Sequence, residues 1–138
     1  LRLFTHPQPV VAASAGHAIA AGALVLLASD TRIGAAGDFK YGLNETAIGM
    51  SLPPFGLQLA FCRLSKRHQT QAIIQANLYA PEDAQTVGFL DQVVAADLVE
   101  EIAMGQAAAL GELPAKAYAG MKFDSRAEYI QIIKASLA

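Results

Sequence analysis

Apolar and small residues dominate the first third of the chain and predict short, largely buried elements. Pro9 precedes the first apolar run, a position where a strand tolerates proline. The predicted elements are, in order, a strand at 10–14, a turn at 15–17, a helix from about 20–22 to 28, a strand beginning at 30–33 and an edge strand at 39–41. Small-residue and proline-containing loops separate them.

The rest of the chain is patterned mainly as helix. Pro81 followed by two acidic residues is a helix start, and Gly88 is its end. The elements predicted here are helices at 57–64, 65–77, 81–87, 98–110 and from 114 to the end, with one strand at 90–94. Strands that alternate with helices predict an α/β fold with parallel strands. We expect an α/β core at 1–95 and a helical region at 96–138.

Composition narrows the class of protein. Of 138 residues, 54% are hydrophobic and 16% charged, which excludes an intrinsically disordered chain. The net charge of −2 and the scattered basic residues argue against nucleic-acid binding. The apolar surplus is large for so small a chain, and buried subunit interfaces would account for it. The sequence therefore predicts a homo-oligomer.

Residues 10–29 carry no charge, a length that would span a bilayer. Much of this stretch is Ala, Gly and Ser, however, and His17 lies near its middle, so we interpret it as a strand, a turn and a buried helix. No compact basic region of a signal peptide precedes it. The single cysteine, Cys62, forms no internal disulfide and fits a reducing compartment. We expect a cytoplasmic protein with no membrane partner.

The segment Gly16–Gly22 is a first candidate site. Small residues at a helix N-terminus let a ligand approach free backbone N–H groups, which carry partial positive charge. Such a junction favours an anion and can form half of an oxyanion hole. The alternative is a helix rich in Ala and Gly that packs tightly on a sheet.

Glu45 is the second candidate. Leu43, Ile48 and Met50 flank it, and Phe55 follows, so its carboxylate is expected in apolar surroundings of the kind a general acid/base needs. The alternatives are a loop glutamate that points into water and a carboxylate that caps a helix.

The sequence gives little support for a metal site or a phosphate-binding site. The three histidines are not at metal-ligand spacing with cysteine or carboxylates, so no metal site is expected. A small basic cluster is either a phosphate contact or, as we expect, a solvated helix junction. Its members are Arg63, Lys66, Arg67 and His68.

The blocks around these candidates resemble the crotonase (enoyl-CoA hydratase/isomerase) superfamily. The matching blocks are 9–13, 16–22, 30–33, 39–45 with Gly49, and 81–94, in the family's order. The resemblance implies the later part of a crotonase-like ββα spiral fold with a C-terminal helical oligomerisation region. The family's earlier segment, with the second oxyanion N–H donor and part of the CoA pocket, has no counterpart. We therefore expect the chain to be only the later part of such an enzyme.

The resemblance also implies a mechanism. An acyl-CoA thioester binds with its carbonyl oxygen at two backbone N–H groups, one of them from Ala21, and no cofactor is needed beyond the CoA of the substrate. Glu45 matches one of the two glutamates of hydratases, and the other falls on Leu24, which cannot carry a proton. A single glutamate suffices to shuttle a proton from C2 to C4, so the resemblance favours Δ3,Δ2-enoyl-CoA isomerases.

Two further departures from the hydratase pattern bear on the site. Pro53-Pro54 replaces a glycine-rich loop and removes N–H donors that would hold a water, while Phe55 adds an apolar wall. The family's Gly-Gly-Gly is Ala20-Ala21-Gly22 here, and we expect alanine to fit with an ordinary negative φ. The substrate-binding residues implied by the resemblance are His17, Leu24, Pro54 and Phe55.

Three functions stay open on the sequence. The first is an enoyl-CoA isomerase with Glu45 as its sole acid/base. The second is a hydratase or another crotonase-type reaction, such as thioester hydrolysis. The third is a degenerate subunit that acts only through oligomer surfaces. For any of them, the resemblance favours a trimer or a dimer of trimers.

Overall fold

The computed structural model describes all 138 residues and contains six strands and five α-helices. The strands are β1 (Val11–Ser14), β2 (Ala18–Ile19), β3 (Thr31–Ala35), β4 (Tyr41–Gly42), β5 (Leu78–Tyr79) and β6 (Gln92–Val94). The α-helices are α1 (Ala21–Ala28), α2 (Pro54–Arg63), α3 (Pro81–Val87), α4 (Val99–Gly111) and α5 (Ala115–Leu137). Short 3₁₀ turns lie at Thr46–Ile48, Lys66–His68 and Ala96–Leu98, and a π-helix at Thr70–Ile74.

The strands form two small sheets. One has the order β1-β3-β6 and is parallel throughout, with Ala13 opposite Ile33 and Gly34 opposite Val93. The other has the order β2-β4-β5, with β2 parallel and β5 antiparallel to β4. The expected α/β arrangement with parallel strands is therefore confirmed. The expected edge strand near Tyr41 is wrong, because β4 lies in the middle of its sheet.

The main hydrophobic core lies between the sheets and helices α1, α2 and α5. Ile130 and Ile133 of α5 belong to it, at 2% and 1% exposure. These two side chains are therefore not available to an oligomer surface, because α5 packs them against its own chain. A second cluster joins Val99 of α4 to Ile33 of β3.

Two segments differ from their predicted structure for local reasons. Helix α2 begins three residues early, at Pro54, because proline suits the first helical position. The helix expected at 65–77 is instead a 3₁₀ turn and a π-helix, in which the Gln75 N–H donates to Thr70 O at 3.1 Å. Ala76 then takes a φ of 55°, which ends the helical path.

Gly88 ends α3 as predicted. Its φ is 116°, a conformation that favours glycine, and an added Cβ would lie 2.8 Å from the carbonyl oxygen of Arg63. The backbone therefore turns there close against the end of α2.

No helix of the chain combines the length and the apolar character needed to cross a membrane.

Candidate active site

The turn into α1 holds its backbone in a strained conformation. Ala20 has φ 54° and ψ −116°, so the expectation of a negative φ is wrong at this residue. The Ala20 N–H donates to Gly42 O at 2.9 Å, which fixes the turn against β4. A non-glycine residue in such a region costs roughly 1–3 kcal/mol, which the surrounding structure must offset.

Ala21 follows as the first residue of α1, and it is exposed. The N–H groups of a helix's first turn have no acceptor inside the helix and carry partial positive charge. No acidic side chain occupies this first turn and no side chain caps it. The Ala21 N–H is therefore available to an oxyanion.

Glu45 lies at the start of the 3₁₀ turn Thr46–Ile48 and is half-buried. Its Oε2 is buried and has no hydrogen-bond partner, and its side chain makes no cap hydrogen bond. The carboxylate therefore does not cap the turn that follows it, and one of its two oxygens is shielded from water. The loop itself is fixed, because Glu45 O accepts from the N–H of Met50 at 2.8 Å and Thr46 Oγ1 donates to Ile73 O at 3.3 Å.

The pairing of β2 with β4 brings these two groups to one edge. The strands run parallel with Ile19 opposite Gly42, so their carboxyl ends meet. Ala21 lies two residues beyond Ile19, and Glu45 lies three residues beyond Gly42. A free N–H and a carboxylate with an unsatisfied oxygen thus emerge from neighbouring strand ends.

Leu24 lies one turn into α1, where its N–H donates to Ala20 O at 3.0 Å. Its Cδ2 lies 3.5 Å from where a Cβ on Gly56 would stand, so it contacts the first turn of α2. That turn also contains Pro54, the first helical residue, and the exposed Phe55. Leu24, Pro54 and Phe55 therefore lie where the N-terminal ends of α1 and α2 come together.

His17 lies at the other end of β2 from Ala21 and is exposed. Its Nδ1 accepts a hydrogen bond from the Lys40 N–H at 2.9 Å, and its ring meets Phe39 edge-on at 5.6 Å. These contacts fix the loop before β2, and the short strand separates His17 from the other site residues.

The sequence predicts no role for Asn44, although it lies in the block 39–45 that resembles the family. Asn44 Oδ1 is buried without a hydrogen-bond partner, as is Glu45 Oε2 beside it in the chain. Exposed Ile48 and Met50 follow. The site thus pairs two unsatisfied acceptors with open apolar surface, the combination that a small-molecule pocket uses for orientation and affinity.

The proposed basic cluster does not form a solvated junction as a unit. Lys66 and Arg67 are exposed, but Arg63 turns inward and donates from Nη2 to Ser29 O at 3.1 Å and to Asp30 O at 2.8 Å. The solvated interpretation is therefore wrong for Arg63. No cluster of three or more His, Cys, Asp or Glu side chains that would hold a metal ion is found.

The fold and this strand-end site define a crotonase-type α/β protein, and comparisons with known proteins give the family. The family model for enoyl-CoA hydratase/isomerase matches residues 1–135. The chain is 34% identical to mitochondrial enoyl-CoA delta isomerase 1 of Mus musculus over 101 residues, which cover 72% of this chain and 35% of the relative. The chain belongs to the enoyl-CoA hydratase/isomerase family.

Solved structures agree with this assignment. An enoyl-CoA hydratase/isomerase family protein from Pseudomonas syringae superposes with a TM-score of 0.94 at 38% identity, over 98% of this chain and 59% of that chain. Human mitochondrial delta3-delta2-enoyl-CoA isomerase gives a TM-score of 0.86 at 30% identity, over 93% of this chain and 50% of that chain. This chain therefore spans half to three-fifths of these two structures, and the predicted crotonase-like fold is confirmed.

Proposed function

We propose that the chain provides the acid/base and one oxyanion donor of a Δ3,Δ2-enoyl-CoA isomerase. The observation that carries the proposal is the carboxylate of Glu45, half-buried with a buried Oε2 that no protein group satisfies. A carboxylate held this way is ready to accept a proton from a ligand. The mouse and human relatives are named as isomerases of this type.

The proposed reaction moves one proton and one double bond. Glu45 removes a proton from C2 of a 3-enoyl-CoA, and the electron pair flows into the thioester carbonyl as an enolate. The Ala21 N–H donates a hydrogen bond to the oxygen as it gains charge, in the manner of an oxyanion hole. The dienolate then takes the same proton back from Glu45 at C4, which leaves the double bond between C2 and C3.

The residues around Glu45 support isomerisation over hydration. Hydration requires that a water be held and activated as well as a proton moved. Leu24, beside Gly56, offers no proton carrier at the start of α1, and Pro53 and Pro54 offer no N–H to hold a water. One base that takes and returns a proton is enough for isomerisation.

The test is a spectrophotometric assay of the full-length protein with a 3-enoyl-CoA and, separately, with a 2-enoyl-CoA. Formation of the conjugated 2-enoyl thioester from the first substrate is the expected result. Hydration of the second substrate as the faster reaction would favour the hydratase alternative. Absence of both reactions in a folded oligomer would favour a subunit without catalysis.

We also infer that the protein binds the acyl-CoA substrate as a homo-oligomer, either a trimer or a dimer of trimers. The reaction needs no cofactor beyond the CoA of the substrate. Exposed apolar side chains on α4 and α5, such as Met104 and Phe123, support association. A cytoplasmic location rests on the lone Cys62 alone and is tested by cell fractionation.

A further inference from the structure

A cavity lies at the far ends of α1 and α2 from Glu45. It measures about 650 Å³ and is bordered by the turn after α1, the last turn of α2 and the first half of α5. Helix α1 has eight residues and rises about 12 Å, and α2 has ten and rises about 15 Å. The cavity is therefore separated from the candidate active site by the length of both helices.

Buried charges line one side of this cavity. Asp30, with a side chain 7% exposed, is 2.6 Å from Lys122 Nζ and 3.1 Å from Arg126 Nη1. It also accepts from Tyr118 Oη at 2.7 Å and from the Val10 N–H at 3.1 Å. One carboxylate thus faces two cations: Oδ2 takes Lys122, Tyr118 and Val10, and Oδ1 has only the ion pair with Arg126 and no hydrogen bond.

Lys122 and Arg126 differ in how many of their N–H groups have an acceptor in the chain. Lys122 directs its three N–H groups to Asp30, to His6 O at 2.6 Å and to Gln8 O at 2.8 Å. Arg126 binds Phe4 O through Nη1 at 2.9 Å, and its Nε and Nη2 have no partner in the chain. Its side chain is 8% exposed and lines the cavity, so these two donors are left for a ligand there.

Arg63 adds a second guanidinium, and this one has no ion-pair partner. No carboxylate lies within 4.0 Å of it, and its Nη1 makes no hydrogen bond in the chain. Burial and the neighbouring charge of Arg126 both lower the pKa of the Arg63 guanidinium. Two guanidiniums that repel each other beside one shared carboxylate leave the wall of the cavity positively charged, although the chain as a whole is negative.

Part of the cavity lining is apolar, on α5 and the turn that precedes it. It is formed by Leu113, Pro114, Ala117 and Met121. A guanidinium's planar fork matches a carboxylate in two parallel hydrogen bonds. An apolar wall suits a hydrocarbon tail, whereas a fully hydrated anion gains nothing from it.

We propose that this cavity binds an amphiphilic carboxylate, with its head group between Arg63 and Arg126 and its hydrocarbon tail along Leu113, Pro114 and Met121. The bound carboxylate adds a negative charge to a lining in which Arg63, Lys122 and Arg126 share the single carboxylate of Asp30. The proposal is independent of the reaction at Glu45, because no residue is common to the two sites.

The three methionines make the site directly observable. Met121 lines the cavity, Met50 follows Glu45, and Met104 is exposed on α4. In the full-length protein labelled at the methionine methyl groups, octanoate should shift the Met121 signal saturably and leave Met104 unchanged. A response of Met50 alone would place the fatty carboxylate in the candidate active site and overturn the proposal.

Two variants that add a negative charge, one within the cavity and one outside it, test the site. Met121 is 70% exposed, so Met121→Glu should preserve the fold while placing a carboxylate in the cavity. By calorimetry, octanoate should bind this variant at least about tenfold more weakly. Gly120→Glu adds the same charge one residue away, where an added Cβ meets open space outside the cavity, and should bind as wild type does.

The probes separate the two halves of the ligand. Octan-1-ol, which lacks the charge, and inorganic phosphate, which lacks the tail, should each bind at least about tenfold more weakly than octanoate. Salt should weaken octanoate binding. Equal binding of octanoate by Met121→Glu and wild type, equal binding of octanol or phosphate, or no saturable binding would each overturn the proposal.

Discussion

The backbone N–H of Ala20 donates to the carbonyl oxygen of Gly42 across 2.9 Å. Each partner lies upstream of a candidate catalytic group: Ala21 directly follows Ala20, and Glu45 lies three residues beyond Gly42. The bond therefore sets the spacing between the proposed oxyanion donor and the proposed base through main-chain atoms alone. It also holds Ala20 at a positive φ of 54°.

That strain gives the first prediction. Ala20→Gly should stabilise the fold by about 1 kcal/mol, because glycine adopts positive φ freely while its greater freedom in the unfolded chain offsets part of the gain. Ala21→Gly is the matched control, since Ala21 is helical, and it should destabilise by about 0.5–1 kcal/mol. Urea denaturation measures both. Equal changes in the two variants would show that Ala20 is not strained.

The second prediction concerns Glu45. Glu45→Gln keeps the size and polarity but removes the proton carrier, so isomerase turnover should fall by about 10²–10⁴-fold or more. Glu82→Gln, on the exposed first turn of α3, is the control and should keep wild-type turnover. If Glu45→Gln folds and retains more than about a tenth of the wild-type rate, Glu45 is not the sole acid/base.

The third prediction concerns Leu24, which contacts the first turn of α2 at Gly56. Leu24→Glu should raise hydration of a 2-enoyl-CoA above background, because it restores a second carboxylate near the proposed oxyanion donor. The gain should be small, since Pro53 and Pro54 still offer no N–H to a water. The new carboxyl should also cost a few kcal/mol of stability, roughly, unless it finds a hydrogen-bond partner.

Circular dichroism supplies the check on folding for this variant. A Leu24→Glu protein that folds, keeps isomerase activity and gains no hydration would show that Leu24 does not occupy the second acid/base position. The argument for isomerisation over hydration would then lose its main support.

The fourth prediction is a pH dependence of stability that arises at Asp30. Burial alone would raise the pKa of Asp30, but hydrogen bonds from Lys122, Tyr118 and Val10 outweigh it and lower the pKa. The ionised carboxylate therefore stabilises the fold above its unfolded pKa of about 3.9, and this contribution is lost as pH falls through the folded value. Asp30→Asn should flatten the acid limb and cost about 3–5 kcal/mol at neutral pH.

The hydrogen bond from Tyr118 to Asp30 also makes stability depend on pH in the alkaline range, through the pKa of Tyr118. Burial, and then the hydrogen bond to Asp30, raise the pKa of Tyr118 to about 12. Because the unfolded chain loses this proton near pH 10, the stability that Tyr118 contributes is complete below about pH 10 and is lost between about pH 10 and 12. Tyr118→Phe should remove this part of the alkaline limb in thermal melts. An unchanged limb would contradict the assignment.

The fifth prediction is association. Met104, Phe123 and Leu137 are exposed on the two C-terminal helices, and their burial between subunits would remove apolar surface from water. Light scattering should give a homo-oligomer, a trimer or a dimer of trimers. Phe123→Asp should shift it toward smaller species, and a stable wild-type monomer at micromolar concentration would contradict the prediction.

Sequence patterns located the elements well where local chemistry decides them. Proline and two acidic residues mark the start of α3, and Gly88 marks its end, because each signal acts within one helical turn. The two-residue strands β2 and β4 were less predictable. Their pairing depends on partners about twenty residues away, and strands that short carry no measurable alternation.

Part of the candidate site was likewise predictable from the sequence, and part of it was not. The motif around Glu45 pointed to a carboxylate in apolar surroundings, and the structure places it half-buried. The positive φ of Ala20 escaped prediction because a single residue type does not reveal a dihedral angle. The inward turn of Arg63 escaped it because the carbonyls that Arg63 binds, at Ser29 and Asp30, lie more than thirty residues earlier.

The contacts of Lys122 and Tyr118 have a consequence for the order in which the protein is made. A ribosome adds Asp30 to the growing chain 88 residues before Tyr118, and the carbonyl of His6 appears 116 residues before Lys122. Until α5 emerges, Asp30 has none of the side-chain partners that let it be buried, and contacts this distant in sequence form late. The core around Asp30 is therefore completed only when the last helix has been made. A product truncated before Tyr118 would leave the Asp30 carboxylate without Tyr118, Lys122 and Arg126, and cellular quality control would meet the core residues that α5 otherwise covers.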